Sequence, residues 1–222
     1  MLVLGIDPSL SRTGAVLYIL EHDKISNITL MDIKNPITDK KQNRLTLYEP
    51  ITSSVKAIEM TEAIVNKIDY HLSKLPLRKE KLLVAHEIPF FDFRTKQTSK
   101  DLMILNGMLL ERLELRLINY YYDRKIAVSE YYSMNPSAIK SFLNTSEMTK
   151  SQSAKVMKAA FQFQKLHHDT SDALIQTLVL LTRLGYLTDE VVTTLPEQIR
   201  EYVKVYKKKR VNPMRLLWRI SV

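Results

Sequence analysis

Cysteine is absent from this 222-residue chain, which excludes disulfide bonds and metal sites built from thiolates. That absence suits a reducing compartment. The sequence also lacks an apolar run long enough to span a bilayer and an amino-terminal pattern typical of a secretory signal. We therefore expect a chain that is neither secreted nor inserted in a membrane.

Glycine is also scarce, with four residues in the whole chain, against about 7% in average usage. Two of them, Gly5 and Gly14, lie close together near the amino terminus. Because glycine has no Cβ, it tolerates unusual backbone angles and lets another backbone come close. We expect one of these two reasons to apply at both positions.

Acidic residues are outnumbered, since Lys and Arg total 33, Asp and Glu total 24, and the net charge is +9. Surplus positive charge suits binding to a polyanion such as nucleic acid, although a basic soluble protein without such a partner has the same composition. With 45% hydrophobic and 26% charged residues, the chain is typical of a globular protein with one well-formed core.

Four carboxylates stand out because each begins or ends an apolar segment. Asp7 and Glu87 each close a run that is typical of a buried strand. Asp169 and Asp172 lie three residues apart at the start of an apolar helical segment, so they share one helix face. Burying an unpaired carboxylate is costly, and hard oxygen ligands without Cys favour Mg²⁺ or Mn²⁺. Two such ions about 3.5–4 Å apart can drive phosphodiester hydrolysis.

Each of these acids also has an ordinary structural explanation. Asp169 or Thr170 could cap the helix that follows, Glu87 could form a salt bridge, and Asp7 could belong to a turn. The three elements together, in this order along the chain, favour a metal site over three unrelated explanations.

The apolar patterns predict a mixed α/β fold with one five-stranded mixed sheet flanked by helices, in the order βββαβαβαα. We predict one domain over residues 1–185 and a basic C-terminal extension over residues 186–222, which contains the run Lys207–Arg210 and Trp218. The predicted strands cover residues 2–7, 14–20, 25–33, 82–87 and 125–130. The predicted helices cover about residues 52–74, 98–119, 135–143, 149–164 and 169–184.

The run Gly5–Gly14, which reads Gly-Ile-Asp-Pro-Ser-Leu-Ser-Arg-Thr-Gly, resembles the opening motif of the RuvC-type Holliday junction resolvases, whose fold is ribonuclease H-like. Ser9 stands where that family usually has glycine. His168–Ala173 is similar to the family's closing acidic motif. Further similarities follow in the family's order: Glu87 as the second acid, residues 105–109 in the dimer-forming helix, Tyr131, Tyr132, Pro136 and Lys140, and then Thr149–Gln152. The resemblance covers about residues 1–185.

This resemblance implies a dimeric endonuclease that resolves four-way DNA junctions by paired phosphodiester cleavage and depends on two Mg²⁺ ions, with Mn²⁺ as a substitute. Asp7 would bridge the two ions. Glu87, Asp169 and Asp172 would complete the metal site, and Lys150 would be a catalytic or phosphate-binding cation. The long interval before Glu87 indicates a divergent phage or viral member, which predicts a cytoplasmic location in a bacterial host or at a viral replication site.

An aromatic and basic segment after Glu87 is the second functional candidate. Its rings suit stacking on unpaired bases at a branch point, and the resemblance gives Phe90 the position of a wedge; the alternative is that the rings close the core. The predicted DNA-binding residues are Phe90, Phe91, Arg94, Lys96, Lys140 and Lys150.

The remaining assignments stay open. Leu102–Leu117, with Gly107 in the middle, predicts a helix with one face for the core and one for a second copy. His167 and His168 could shape the site, bind phosphate or lie on the surface. The run Lys207–Arg210 could extend the DNA contact or be solvated.

Three other functions compete with junction resolution. One is a nuclease of the same fold with relaxed selectivity for flaps and forks, and another is a non-catalytic protein that binds structured nucleic acid. An actin-like or sugar-kinase ATPase is disfavoured because its phosphate loops need glycines that this chain lacks.

Overall fold

The computed structural model describes residues 1–21, 24–39, 53–87, 96–123, 125–143, 149–209 and 214–221. Within these ranges the chain forms six strands and eight helices. In chain order they are Leu2–Asp7 (β1), Arg12–Glu21 (β2), Lys24–Lys34 (β3), Pro36–Asp39 (α1), Ser53–Ser73 (α2), Glu80–Glu87 (β4), Lys96–Tyr122 (α3), Ile126–Met134 (β5), Pro136–Phe142 (α4), Lys150–Ala160 (α5), His168–Arg183 (α6), Asp189–Thr193 (α7), Glu197–Lys207 (α8) and Met214–Ser221 (β6).

The strands form one mixed sheet in the order β3-β2-β1-β4-β5-β6. The first three strands are an antiparallel meander. The strands β1, β4 and β5 are parallel, as expected for strands joined through the long helices α2 and α3. This topology confirms the predicted mixed α/β fold, with one central mixed sheet flanked by helices.

The predicted count of five strands was wrong, because β6 pairs antiparallel with β5 and adds a sixth. Met214 packs against one core and Leu217 and Ile220 pack against the other, while Leu216 is exposed. The run Leu216-Leu217-Trp218 breaks the alternation of a half-exposed strand, so the local pattern gave no clear signal for β6.

The segment predicted as a basic extension therefore contributes to the sheet. Two helices that we did not predict, α7 and α8, also pack on the core through buried residues that include Val191, Ile199, Val203 and Tyr206.

Helices cover the two faces of the sheet and enclose two apolar cores. On one face α6 lies across β1, β2 and β4, with α4, α5, α7 and α8 around it. On the other face α2 and α3 pack together, and the leucine stripe of α3 faces the core through Leu105, Leu109, Leu113 and Leu117. No helix in the described ranges is long and apolar enough to cross a membrane.

Candidate active site

Asp7 and Glu87 lie side by side at one edge of the sheet. They end β1 and β4, which are adjacent parallel strands in the register that pairs Ile6 with His86. Carboxyl ends of parallel strands meet at the same edge, where ligand sites of α/β sheets are commonly found. Asp7 is buried, with 6% of its surface exposed.

Two glycines let α6 lie directly on the sheet beside these acids. A Cβ added to Gly5 would lie 2.6 Å from Cγ2 of Thr177 and would also overlap the carbonyl oxygen of Ala173. A Cβ added to Gly14 would overlap the backbone of Asp169 and Thr170. Of the two reasons that the sequence left open, unusual backbone angles or a close approach, the close approach applies at both positions, and the approaching element is α6.

The first turn of α6 brings the other two carboxylates to the same place. Asp169 and Asp172 are both buried. The helix is capped by His167, whose Nδ1 accepts a hydrogen bond from the backbone N–H of Asp169 at 3.4 Å. Neither Asp169 nor Thr170 is therefore the cap, and this ordinary explanation for Asp169 was wrong.

Lys150 inserts its ammonium group among the acids from the first position of α5. Its Nζ lies 3.3 Å from Oδ2 of Asp172, 3.8 Å from Oδ2 of Asp7 and 4.0 Å from Oδ1 of Asp169. A capping box fixes the start of this helix, since the N–H of Gln152 donates to Oγ1 of Thr149 at 3.3 Å and the N–H of Thr149 donates to Oε1 of Gln152 at 2.7 Å.

Burial is the main influence on the pKa values of three of these acids. Burial, followed by the charge of Glu87, raises the pKa of Asp7 well above its ordinary value. Burial also raises the pKa of Glu87 from 4.5 to about 7 and that of Asp172 above its ordinary value. In all three cases Lys150 acts in the opposite direction.

Among the residues that the structure describes, the ammonium group of Lys150 is the lysine charge that acts on all four carboxylates. Burial would lower the pKa of Lys150, but the charges of Asp7, Asp172 and Glu87 raise it above its ordinary value. A set of buried carboxylate oxygens with excess negative charge fits hard divalent cations such as Mg²⁺. Asp7, Glu87, Asp169 and Asp172 are the residues that would hold them.

His167 and His168 form a second group with Asp169. Nδ1 of His167 lies 3.2 Å from Oδ2 of Asp169, and Nε2 of His168 lies 3.2 Å from Oδ1 of the same carboxylate. The three side chains offer ligand atoms within 4.8 Å of one another. Both imidazoles therefore border the acid cluster and shape its outer side.

Gln176 is a contact that the sequence reasoning missed. It is fully buried in α6, and its Nε2 donates to Oε2 of Glu87 at 3.4 Å. It stands four residues after Asp172, on the same helix face. That spacing was the available signal, because a polar residue one turn below a proposed ligand in an apolar helix needs a partner.

The predicted DNA-binding residues are only partly described. Lys140 is exposed at the end of α4 and lines a cavity beside Glu87. Lys96 begins α3, with its side chain outside the described part. Phe90, Phe91 and Arg94 all lie outside the described residues.

The basic run Lys207–Arg210 is partly engaged within the chain. Nζ of Lys207 lies 3.3 Å from Oδ1 of Asp189, and Lys209 donates to the carbonyl of Ser141. Arg210 lies outside the described residues. The predicted contribution of this run to DNA binding stays a prediction.

Compared by sequence, the chain matches no family model and none of the curated proteins. Compared by structure, it is similar to Thermus thermophilus RuvC, both alone and in complex with a Holliday junction substrate, with 18% identity, a TM-score of 0.49, and coverage of 84% of this chain and 98% of that chain. It is also similar to the yeast mitochondrial Holliday junction resolvase Ydc2, with 13% identity, a TM-score of 0.43, and coverage of 92% and 81%. Similarity at this level does not by itself support a function.

Proposed function

We propose that this protein is a metal-dependent DNA endonuclease that resolves four-way junctions by paired phosphodiester cleavage. The observation that carries the proposal is the convergence of Asp7, Glu87, Asp169 and Asp172 around Lys150 at one sheet edge. These acids come from three separate parts of a basic chain. Their order along the sequence follows the motif order of the RuvC-type resolvases.

The four acids would hold two Mg²⁺ or Mn²⁺ ions. Bound there, the ions would supply an activated water and stabilise the leaving oxygen. The residues of the chain hold and orient this site: Gln176 donates to Glu87, and His167 fixes the first turn of α6. Lys150, which is more than half exposed, would turn its ammonium toward the scissile phosphate.

Affinity for DNA would come mainly from charge. A net charge of +9 supports sequence-independent contacts with phosphates, which weaken as salt rises. Lys140 and Lys150 are exposed beside the acids and would hold the backbone of the cleaved strand. Phe90 and Phe91, with Arg94 and Lys96, remain the predicted contacts with unstacked bases at the branch point.

A second copy of the chain would supply the second active site. The outer face of α3 carries exposed apolar residues at helical spacing, namely Ile104, Leu115, Ile118 and Tyr122, with the exposed Glu111 between the first two. Gly107 is on this side, and a Cβ added to it would meet nothing within 4 Å in the described structure. Packing within the described chain does not explain Gly107, whereas a twofold contact with α3 of a partner would.

Cleavage of defined DNA substrates tests the proposal. Purified protein is incubated with Mg²⁺ and a four-way junction, a flap or a linear duplex, and Asp7→Asn serves as the inactive control. We expect paired nicks in opposite strands of the junction and little cutting of the duplex. Equal cutting of the junction and the flap indicates the relaxed nuclease instead. Binding without cutting, in Mg²⁺ or Mn²⁺, indicates a non-catalytic protein and overturns the proposal.

A further inference from the structure

A cavity of about 100 Å³ opens beside the acid cluster, between α4 and α5. Its walls are Pro136, Ile139 and Leu143 on one side and Ser153 on the other. At one end it reaches Glu87 and Asp172, and the exposed side chains of Lys140 and Lys150 line it as well. We call this space the α4–α5 slot.

The chemistry of the slot differs from that of the acid cluster. Three of its walls are aliphatic, and the hydroxyl of Ser153 is already engaged because it donates to the carbonyl of Lys150 at 2.8 Å. An apolar wall contributes nothing to holding a hydrated cation, so metal binding does not explain the slot. Its surface suits a flat group with little need for hydrogen bonds.

The volume of the slot also limits the kind of group that can occupy it. Its volume of about 100 Å³ exceeds the roughly 10–15 Å³ that one water needs on the same measure, and it is below the roughly 300–1,000 Å³ of pockets that enclose whole small-molecule ligands. A space of this size suits one ring system. Within a nucleic acid, that ring system is a base.

We propose that the α4–α5 slot receives the base of the nucleotide next to the scissile phosphate. The inference rests on the proposed nuclease function, because Glu87 and Asp172 belong both to the slot and to the acid cluster. A base in the slot places its own phosphate between the carboxylates and the two lysines. The slot thereby fixes which phosphate lies at the metal site.

The composition of the slot also predicts how it treats different bases. Discrimination between bases depends on paired hydrogen bonds to base edges, and the aliphatic side chains of the slot offer none. Its four charged side chains would be engaged by the metal ions and by the phosphate. The slot therefore holds a base through shape and apolar contact, and it positions the strand without a strong sequence preference. Entry requires a base that has left its stack, which costs least where pairing is already disrupted.

Base removal from the DNA tests the slot without altering the protein. A series of junctions carries one abasic nucleotide at successive positions around the cleavage site. We expect removal of one base beside the scissile phosphate to slow cleavage by roughly tenfold to a hundredfold, because a misplaced phosphate loses its alignment. Cleavage at the wild-type rate with every abasic junction overturns the proposal.

A filled slot provides the matched protein variant. Ser153→Phe places a ring in the slot, and Ser151→Phe places the same ring on the exposed side of α5. We expect Ser153→Phe to slow cleavage of the intact junction and to lose sensitivity to the abasic position, while Ser151→Phe matches wild type. Sensitivity that persists in a folded Ser153→Phe variant overturns the proposal. Should Ser153→Phe fail to fold, Ser153→Leu gives the same comparison with a smaller side chain.

A binding measurement separates failure of the slot from failure of the nuclease. Junctions with 2-aminopurine beside the cleavage site are bound in Ca²⁺, whose looser geometry suits binding better than cutting. We expect the fluorescence of the unstacked base to rise with wild type and Ser151→Phe, but not with Ser153→Phe. This result supports the slot even if no DNA is cleaved. An unchanged signal with wild type overturns the slot even if junctions are cleaved.

Discussion

Gly14 lies against the peptide bond that joins Asp169 to Thr170, with no space for a side chain between them. This contact sets the distance between β2 and the first turn of α6. Because Asp169 and Asp172 are carried by that turn, the missing Cβ of Gly14 allows two of the four acids to reach Asp7.

Gly14→Ala should damage both stability and activity. Overpacking of a tight contact costs about 1–3 kcal/mol, and relief of the overlap would move α6 away from β1. We expect a lower thermal midpoint and a large loss of junction cleavage. Gln198→Ala, which changes an exposed residue of α8, is the control. A Gly14→Ala protein with wild-type stability would show that α6 has room to shift.

Removal of single charges in the acid cluster should separate cleavage from binding. We expect Asp7→Asn, Glu87→Gln, Asp169→Asn and Asp172→Asn each to reduce cleavage by at least about 100-fold, since even outer partners of metal ligands matter by 10–100-fold. Affinity for DNA, measured by fluorescence anisotropy, should stay equal or increase because negative charge is removed. Wild-type cleavage rates in two of the four variants would contradict the assignment of the site.

Lys150 should affect the cleavage rate through its position beside the acids, and not only through its charge. Lys150→Met removes the ammonium group that lies 3.3 Å from Asp172, whereas Lys158→Met removes an exposed charge from the same helix. We expect both variants to weaken DNA binding slightly, as the loss of one phosphate contact does, and only Lys150→Met to lower the cleavage rate at saturating DNA. Equal rates in the two variants would place Lys150 outside the reaction.

Stability without metal should fall as pH rises. The folded pKa of Glu87 is raised from 4.5 to about 7, so its contribution to stability is complete below about pH 4.5 and is lost as pH approaches 7. The raised pKa values of Asp7 and Asp172 act in the same direction. In EDTA near pH 5, we expect the free energy of unfolding of Glu87→Gln to be equal to that of wild type or lower. Between pH 5 and pH 8, we expect the free energy of unfolding of the variant to rise relative to that of wild type by on the order of 1–3 kcal/mol.

Urea denaturation at several pH values measures this difference. Glu59→Gln is the matched control, since Glu59 is exposed. Mg²⁺ should reduce the loss in wild type, because it binds the ionised carboxylates of the folded state. A pH-independent difference between wild type and Glu87→Gln would contradict the raised pKa.

The exposed apolar residues on α3 should control self-association. We expect Leu115→Glu and Ile118→Glu to convert a dimer into a monomer, because they place charge at the centre of an apolar contact. Gly107→Leu should weaken the dimer if the two helices approach closely there. Val205→Glu, which changes an exposed residue on α8, is the control. Sedimentation that finds wild type monomeric at micromolar concentration, with and without junction DNA, would contradict the dimer.

Local patterns predicted most of the fold and the chemical nature of the site. Asp7 and Glu87 were recognisable because each interrupts a buried strand, and the spacing of Asp169 and Asp172 put them on one helix face. Those signals depend only on neighbours in the sequence. The predicted class of fold followed from the same periodicities.

The features that escaped prediction depend on tertiary contacts. The helices α7 and α8 pack on the core through Val191, Ile199 and Val203, and no local pattern predicted that contact. The capping role of His167 and the contact of Gln176 with Glu87 depend on how α6 lies over the sheet. β6 pairs with β5, but the two strands are far apart in sequence. They are therefore not joined by a short turn that would have predicted their pairing.

The pairing of β5 with β6 joins the two ends of a long stretch of chain. Lys150, Asp169 and Asp172 all lie within that stretch, between the strand that opens it and the strand that closes it. Bringing distant ends of a chain together costs conformational entropy, and this cost rises only slowly with the length of the segment. The hydrogen bonds between β5 and β6 help to offset this cost. β6 contributes no proposed ligand, but its pairing with β5 restrains the segment that carries three of the five site residues.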